Sequence, residues 1–327
     1  MKPTFHASIV NEPFEDPCLL VRLLREGRNL LFDAGALCRL SAASMMRISD
    51  VFVTHAHMDH FIGIDELFRN LLRREEPLRI FGPEDIIECV EGKLRGYTWN
   101  LIAKYPLKVE VFGIGEKVVR HSSFYASNRF KAVENPATDF SGIIVEEPLF
   151  KVKALRLSHS IPVIAYSIEE EFHININKAL LEERDFSVGP WLSDLKKAIR
   201  SGDESCSIKV DEKEFRAAEL KEFADITRGQ KISYLMDTAP LSSNIEKAVE
   251  FVRGSDILFC EAYFMNKDLE LAEERHHLTA ALAGEIARKA KVGALKILHF
   301  SPRYMDCVDE LYAEAEEAFR GVKLQSA

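Results

Sequence analysis

The stretch that decides the fold is VFVTHAHMDH, residues 51–60, in which three histidines and one aspartate fall within six positions. An apolar strand comes first, and in an extended chain residues i and i+2 point the same way. His55 and His57 can therefore direct their ring nitrogens to one point, while Asp59 and His60 follow on the next bend. Imidazole and carboxylate together suit Zn, Mn or Fe, and two such sites sharing an oxygen make a water acidic enough to attack at neutral pH.

Three further candidate ligands stand where apolar strands end. ALRLSHSIPV carries His159, ISYLMDTAP carries Asp237 and LKILHFSPRY carries His299. Each alone could be a satisfied core or turn residue, but all share the same context, and layered α/β folds generally gather their active groups at strand ends. The sequence therefore predicts a two-metal centre with these candidate ligands: His55, His57, Asp59, His60, His159, Asp237 and His299.

The composition of the 327 residues favours a globular chain, with 47% hydrophobic and 29% charged residues. No apolar run approaches the roughly 18 residues of a membrane span, so we expect a cytoplasmic protein without a membrane partner. Six cysteines without a CxxC pair indicate reduced thiols. The net charge of -9 disfavours a generic nucleic-acid binder. Two basic patches, RNLLRREEPLR and LKKAIR, could still bind nucleic acid despite the negative net charge. Both also fit the solvated face of a helix.

Alternating strand-like and helix-like segments predict an α/β protein. The pattern runs from CLLVRLLREGRNLLFDAG to LKVEVFGI, gives three strands between residues 142 and 169, and resumes at Lys231. The natural arrangement is an αββα four-layer sandwich, with two mixed β-sheets face to face and helices outside. We expect residues 1–327 to form a single domain with an inserted lobe at about 171–229. That lobe, polar and irregular in sequence, is either a surface excursion or a substrate-contacting element.

These motifs resemble those of the metallo-β-lactamase superfamily, whose HxHxDH signature is matched by residues 55–60. Within it, the likeness is to the ribonuclease Z branch, which cuts the 3′ trailer from precursor tRNA. The motifs that carry this likeness are SHSIPVIAY, MDTAP, HHLTAALAGEIARKAKV, LHFSPRY and the segment VGPWLSDLKKAIRSGD. The resemblance implies a four-layer metallo-β-lactamase sandwich with a dinuclear site at one edge. It also implies that precursor tRNA is the substrate and that a homodimer can form.

Roles for individual residues follow from that resemblance. The first metal would take His55, His57 and His159, the second Asp59, His60 and His299, and Asp237 would bridge them. The metals would most simply be Zn, with Mn or Fe as alternatives. Asp59 would also accept a proton, and His277 would donate one to the leaving oxygen. His277 also fits an ordinary helix start beside Thr279. Asp33 and Glu261 are expected to hold ligands by hydrogen bonds. Ser301 and Arg303 would bind a phosphate oxygen or make a structural hydrogen bond.

The sequence also departs from the family pattern. AGALCRLSAAS replaces the usual turn after Asp33, Met58 stands for a glycine, CEAYF has lost a histidine, and Ile164–Tyr166 replaces an aromatic-Gly-Tyr. The function predicted is that of a metal-dependent hydrolase, a ribonuclease Z-like phosphodiesterase that processes tRNA 3′ ends by attack of a metal-bridging hydroxide. The alternatives are a hydrolase of the same fold acting on a small phosphodiester or other ester, and a non-catalytic partner protein.

Overall fold

A computed structural model describes residues 3–24 and 26–321 of the chain. Within these residues the strands, numbered in chain order, are β1 (Phe5–Ile9), β2 (Leu19–Leu23), β3 (Arg28–Phe32), β4 (Ile48–Phe52), β5 (Leu78–Pro83), β6 (Lys108–Ile114), β7 (Val118–Tyr125), β8 (Ala132–Asp139), β9 (Ile143–Glu146), β10 (Phe150–His159), β11 (Ile161–Glu170), β12 (Phe172–Ile176), β13 (Ser207–Val210), β14 (Lys213–Arg216), β15 (Ala224–Arg228), β16 (Lys231–Leu235), β17 (Ile257–Glu261) and β18 (Leu295–Leu298).

The α-helices of the same residues are α1 (Ala42–Met45), α2 (Met58–Phe61), α3 (Ile64–Leu71), α4 (Ile86–Arg95), α5 (Lys178–Glu183), α6 (Trp191–Ser201), α7 (Ala217–Leu220), α8 (Ser242–Phe251), α9 (Leu269–Arg275), α10 (Ala280–Lys289) and α11 (Val308–Arg320). Short 3-10 turns lie at Ala126–Asn128, Lys221–Phe223, Asn266–Asp268 and Pro302–Cys307. None of the helices in residues 3–24 and 26–321 combines the length and the apolar character needed to cross a bilayer.

Two mixed sheets carry the fold. The first contains β1 to β8 in sequence order, and its central strands β3 to β6 are parallel. The second has the order β18-β17-β16-β11-β10-β9, with β16, β17 and β18 parallel. Because parallel strands end at the same edge, each sheet delivers several strand ends to one side of the molecule.

A row of aromatic rings lies on the inner face of the first sheet. Phe32, Phe52, Phe81, Phe112 and His121 occupy directly opposed positions on β3 to β7. Successive ring centroids are 4.9, 5.1, 4.6 and 4.3 Å apart, and every pair is stacked. Opposed aromatic pairs of this kind each contribute about 0.5–1.5 kcal/mol beyond burial. The row therefore fixes the register of five strands at once.

The helices cover the two outer faces. Apolar side chains of α3 and α4 pack on the first sheet, and those of α8, α10 and α11 pack on the second. Between the sheets a third cluster includes Tyr166 and Tyr234, both fully buried. The predicted αββα sandwich with two mixed sheets is therefore confirmed.

The segment from 171 to 229, called the lobe below, is more ordered than its composition predicted. β12 pairs with β15, β13 pairs with β14, and three helices accompany them. The lobe also has an apolar cluster of its own, which includes Trp191, Leu195 and Phe223. The sequence of the lobe looks irregular because these apolar residues are spread over short elements, so no single window shows a clear period. At its base, β11 and β16 pair directly, with Glu169 opposite Lys231.

Candidate metal centre and active site

The predicted ligands come together at one edge of the sandwich, where strands from both sheets end. His55 follows β4 by three residues, His159 is the last residue of β10, and His299 directly follows β18. Asp237 lies two residues beyond β16, and Asp59 and His60 belong to the short helix α2. The sequence expectation that separate strand ends converge here agrees with this geometry.

Several residues of this region, among them Asp33, Asp237 and His299, adopt a backbone conformation that is unusual for side chains with a Cβ. The φ angles of Asp33, Asp237 and His299 are 54°, 44° and 59°. Each left-handed non-glycine residue costs on the order of 1–3 kcal/mol, and such residues concentrate at functional sites. The chain therefore accepts local strain to aim these three side chains at one edge of the fold.

The first group of candidate ligand atoms belongs to His55, His57, His159 and Asp237, and these atoms lie within 4.8 Å of one another. Asp237 Oδ2 is 3.4 Å from His55 Nε2 and 3.7 Å from His159 Nε2. His57 is exposed toward solvent, whereas the other three residues are buried. Three imidazoles and one carboxylate oxygen thus surround a point that a cation could occupy.

The second group contains Asp59, His60 and His299. Asp59 Oδ2 is 3.5 Å from His60 Nε2 and 3.4 Å from His299 Nε2. Asp237 reaches this group as well, because its Oδ2 is 3.4 Å from His60 Nε2. One carboxylate oxygen therefore contacts imidazoles of both groups.

Buried polar atoms without hydrogen-bond partners test whether these residues fit metal ions. His55 Nε2, His60 Nε2, His299 Nδ1 and Asp237 Oδ1 are all buried in this way. His299 Nδ1 and Asp237 Oδ1 are 2.8 Å apart but are not aligned for a hydrogen bond. An unsatisfied buried polar atom costs about 1–3 kcal/mol, so several of them in one cluster need a common partner. A divalent cation with nitrogen and oxygen ligands fits this requirement.

The electrostatics of the cluster favour ionised carboxylates. Burial works against the charge on Asp237, yet His299 and His60 hold its pKa well below its usual range. Burial also opposes the charge on His299, and the nearby Asp237 carboxylate raises its pKa to about 9. His55 behaves differently, since burial and the neighbouring His60 lower its pKa to about 2. Burial opposes the charge on His60 too, but Asp33 and Asp237 raise its pKa. Because metal ligands are deprotonated imidazoles, binding of a cation would release protons from His60 and His299.

Asp33 makes hydrogen bonds that hold the segment 54–60, which carries the first histidines, in place. Its carboxylate accepts hydrogen bonds from the Thr54 backbone N–H (2.7 Å) and from the Tyr234 hydroxyl (3.0 Å), and it lies 2.8 Å from His60 Nδ1. The Thr54 hydroxyl is also 3.1 Å from His55 Nδ1. Thr54 and Tyr234 were not predicted, although Thr54 is the last residue before the first histidine.

Glu261 organises His277 in a similar way. The fully buried Glu261 carboxylate accepts from the Thr238 backbone N–H and lies 2.8 Å from His277 Nδ1. Burial opposes the charge on His277, but Glu261 raises its pKa above the usual value. The imidazole also stacks on Tyr263, with centroids 4.2 Å apart and planes 13° apart. Tyr263 escaped the sequence analysis, where CEAYF was noted only as a departure.

A cleft of about 500 Å³ opens over the two groups. Besides five of the candidate ligands, its lining residues are Tyr263, Phe264, Leu271, Arg275, His277, Ser301 and Arg303. Ser301 and Arg303 lie where the sequence predicted, but Arg303 already pairs with Asp268 at 3.3 Å. Among the described residues, no member of the lobe lines this cleft. Phe264, Leu271 and Arg275 were not predicted and carry no motif of their own.

Comparison with known proteins sets this site in a family. No family model matches the chain. A ribonuclease Z from Nanoarchaeum equitans is 30% identical over 292 residues, which cover 88% of this chain and 78% of that protein. A ribonuclease Z from Methanosarcina mazei is 30% identical over 305 residues, 91% of this chain and 86% of the relative. The chain belongs to the ribonuclease Z family. The ribonuclease Z from Deinococcus radiodurans is 27% identical over 309 residues, 92% of this chain and 91% of that protein.

Solved structures agree with the fold. The metallo-β-lactamase fold protein YhfI from Bacillus subtilis superposes with a TM-score of 0.56 at 15% identity, covering 97% of this chain and 94% of its own. The short form of human tRNase Z gives 0.52 at 19% identity, with 92% and 93% covered. The predicted resemblance to the metallo-β-lactamase superfamily and its ribonuclease Z branch is confirmed.

Two departures of this ribonuclease Z family member from the family pattern can be placed in the structure. Met58 lies between the candidate ligands His57 and Asp59, where it begins α2 with 77% of its surface exposed. Cys260 is fully buried at the end of β17, where it packs in the outer apolar cluster.

Proposed function

We propose that this protein is a metal-dependent endoribonuclease that removes 3′ extensions from precursor tRNA. The observation that carries the proposal is the position of Asp237 Oδ2, which lies 3.4 Å from both His55 Nε2 and His60 Nε2. A carboxylate oxygen between two imidazole groups could contribute to the binding of two cations at once. Membership of the ribonuclease Z family supplies the substrate class.

The proposed metal ligands are those named from the sequence. His55, His57 and His159 would hold one ion, Asp59, His60 and His299 the other, and Asp237 both. We propose two divalent ions, Zn first and Mn or Fe as alternatives, because this nitrogen and oxygen set suits all three. When bound, the ions supply Lewis acidity that activates water for attack on phosphorus and stabilises the charge that develops there.

Two side chains of the protein would then accept and donate the protons of the reaction. Asp59 is ionised, since His299 and His60 lower its pKa although burial raises it, and its half-exposed carboxylate can accept a proton at the cleft. His277 engages Glu261 through Nδ1, which leaves Nε2 as the nitrogen that can donate to a departing ribose oxygen. Burial opposes the charge on His277, but Glu261 raises its pKa, which favours the protonated form that a proton donor needs. Ser301 and Arg303 would bind phosphate oxygens.

The organisation of the chain belongs to the same proposal. We treat it as one metallo-β-lactamase-fold domain with the lobe inserted between β11 and β16, in support of which the lobe has its own apolar cluster. A cytoplasmic location is supported by six cysteines that are all free thiols. A homodimer, in which the lobe of one subunit serves the cleft of the other, stays a prediction from the family resemblance.

A small phosphodiester is the second candidate substrate. It would be favoured by a lobe that folds over the cleft without exposed basic residues. Among the described residues no lobe side chain lines the cleft, and Lys178, Lys197 and Lys209 of the lobe are exposed. The lobe therefore gives this alternative no support.

Metal analysis combined with a cleavage panel tests the proposed function. The panel contains precursor tRNA with a 3′ trailer, mature tRNA and a chromogenic phosphodiester. Asp237→Ala should lose both bound metal and turnover, whereas Asp225→Ala, an exposed position in the lobe, should keep both. If the metal-loaded wild-type protein hydrolyses the chromogenic ester but leaves precursor tRNA uncut, the tRNA assignment is wrong.

His277→Ala tests the proton donor separately. General acid help is typically worth about 100- to 10,000-fold, and it matters for a ribose alkoxide but little for a nitrophenolate leaving group. We expect kcat on precursor tRNA to fall by that range and kcat on the chromogenic ester to fall far less. Equal losses on both substrates would mean that His277 acts on the fold or the metals and not on the leaving group.

A further inference from the structure

We propose that Arg275 binds a second phosphate of a polynucleotide substrate, next to the phosphate that reacts at the candidate metal centre. The proposal rests on the proposed function, since it needs a substrate with several phosphates. It adds a substrate-binding residue that the sequence motifs do not contain.

The backbone at Arg275 is fixed from both sides by residues of the active site. Arg275 is the last residue of α9, and the next residue, His276, ends the helix in the left-handed conformation with φ 63°. The carbonyl of His276 is 2.7 Å from His159 Nδ1, and His277 is held by Glu261. The Arg275 Cα is therefore anchored directly beside the candidate metal ligands.

The side chain of Arg275, by contrast, is exposed and lines the cleft. Among residues 3–24 and 26–321 it has neither an ion pair nor a hydrogen bond. Leu271, one turn earlier on α9, lines the same cleft, so the helix presents this face to the site. Arg303 differs, because it pairs with Asp268 and lies over the ring of Phe264. Of the two cleft arginines, Arg275 is the one that has no carboxylate partner among the described residues.

Chemistry points to phosphate as its partner. A guanidinium group offers planar paired donors that match two phosphate oxygens and keeps its charge at any working pH. The candidate metal centre would take the reacting phosphate of the substrate, so an arginine beside it meets the next phosphate along the chain. A substrate with one phosphate offers no such partner. Arg275 should therefore discriminate polynucleotides from small phosphodiesters.

The test compares Arg275→Gln with the wild-type protein, both loaded with metal, on precursor tRNA and on a chromogenic phosphodiester. We expect kcat/KM on precursor tRNA to fall about tenfold, mainly through KM. On the small ester, kcat/KM should fall by no more than about twofold. The plot of log(kcat/KM) against log salt for the RNA should become shallower by about 0.7 to 0.9, the loss of one phosphate contact. Arg275→Lys should restore the salt slope.

Arg129→Gln is the matched control. Arg129 is also exposed and without a partner among the described residues, but it follows β7 at the opposite end of the first sheet from the metal ligands. It should change neither the rate nor the slope. Equal losses on both substrates after Arg275→Gln, or an unchanged salt slope, would overturn the proposal. If the wild-type protein leaves precursor tRNA uncut but cuts a single-stranded RNA oligonucleotide, only the proposed function is wrong. The Arg275→Gln and wild-type proteins would then be compared on the oligonucleotide.

Discussion

The substitution Asp33→Asn is expected to lower both the folding stability and the metal affinity, and the two losses can be measured separately. Asparagine tolerates the left-handed backbone of residue 33, with φ 54°, so no strain is added. Its amide, however, places an N–H₂ group where the carboxylate accepted from His60 Nδ1 and from Tyr234. His60 can satisfy that N–H₂ only by moving its own proton to Nε2, the nitrogen that faces Asp59 and Asp237.

The magnitude follows from the contacts. A buried hydrogen bond to a charged group contributes about 1.5–3 kcal/mol, so the metal-free protein should lose roughly 2 kcal/mol of unfolding free energy. With the proton on Nε2, His60 cannot bind a cation through that nitrogen. Loss of such a supporting carboxylate typically weakens metal affinity by about 10- to 100-fold, or roughly 1.4–2.7 kcal/mol more in the metal-loaded protein.

Urea unfolding with and without metal, together with competitive zinc titration, measures both effects. Tyr234→Phe is the matched control, because it removes one hydrogen bond to the same carboxylate and leaves His60 untouched. It should cost about 1 kcal/mol of stability and leave the zinc affinity within about twofold. If Asp33→Asn lowers stability while the zinc affinity stays at the wild-type value, the tautomer argument is refuted.

Two further predictions concern the scaffold. Burial raises the pKa of Glu147, but its bonds to Arg28 and Arg79 lower it overall, so the stabilisation is present at neutral pH and is lost as the pH falls below the usual value of 4.5. Glu147→Gln should therefore cost about 1 kcal/mol at pH 7 in urea unfolding, and progressively less as the pH falls below 4.5. Gly229→Ala should lower Tm, because its Cβ would overlap the Glu170 carbonyl, whereas Gly92→Ala, in open space on α4, should raise it slightly.

Several of the candidate ligands could be placed from the sequence because they end or follow strands that are apolar enough to recognise. His159, Asp237 and His299 share that local context, and parallel strands then carry them to one edge. The stacking of Tyr263 on His277 could not be predicted in the same way. It depends on how the end of β17 faces the start of α10, a non-local arrangement that no spacing in the sequence encodes.

Strands at the edge of the first sheet were also missed. In β8 only one of eight residues is even partly buried, and the strand contains Pro136, so its sequence has neither alternation nor apolar character. Its position depends on pairing with β7, which the local sequence does not reveal. β1 was missed for a similar reason, since most of its residues are only partly buried.

The pairing of β11 with β16 has a consequence for the history of this molecule. Because the two strands are antiparallel neighbours, the whole lobe occupies the position of a hairpin loop. A variant in which residues 171–229 give way to a tight turn would keep every hydrogen bond of the second sheet. A single insertion or deletion could thus add or remove the lobe without changing the edge of the fold that carries the candidate metal ligands.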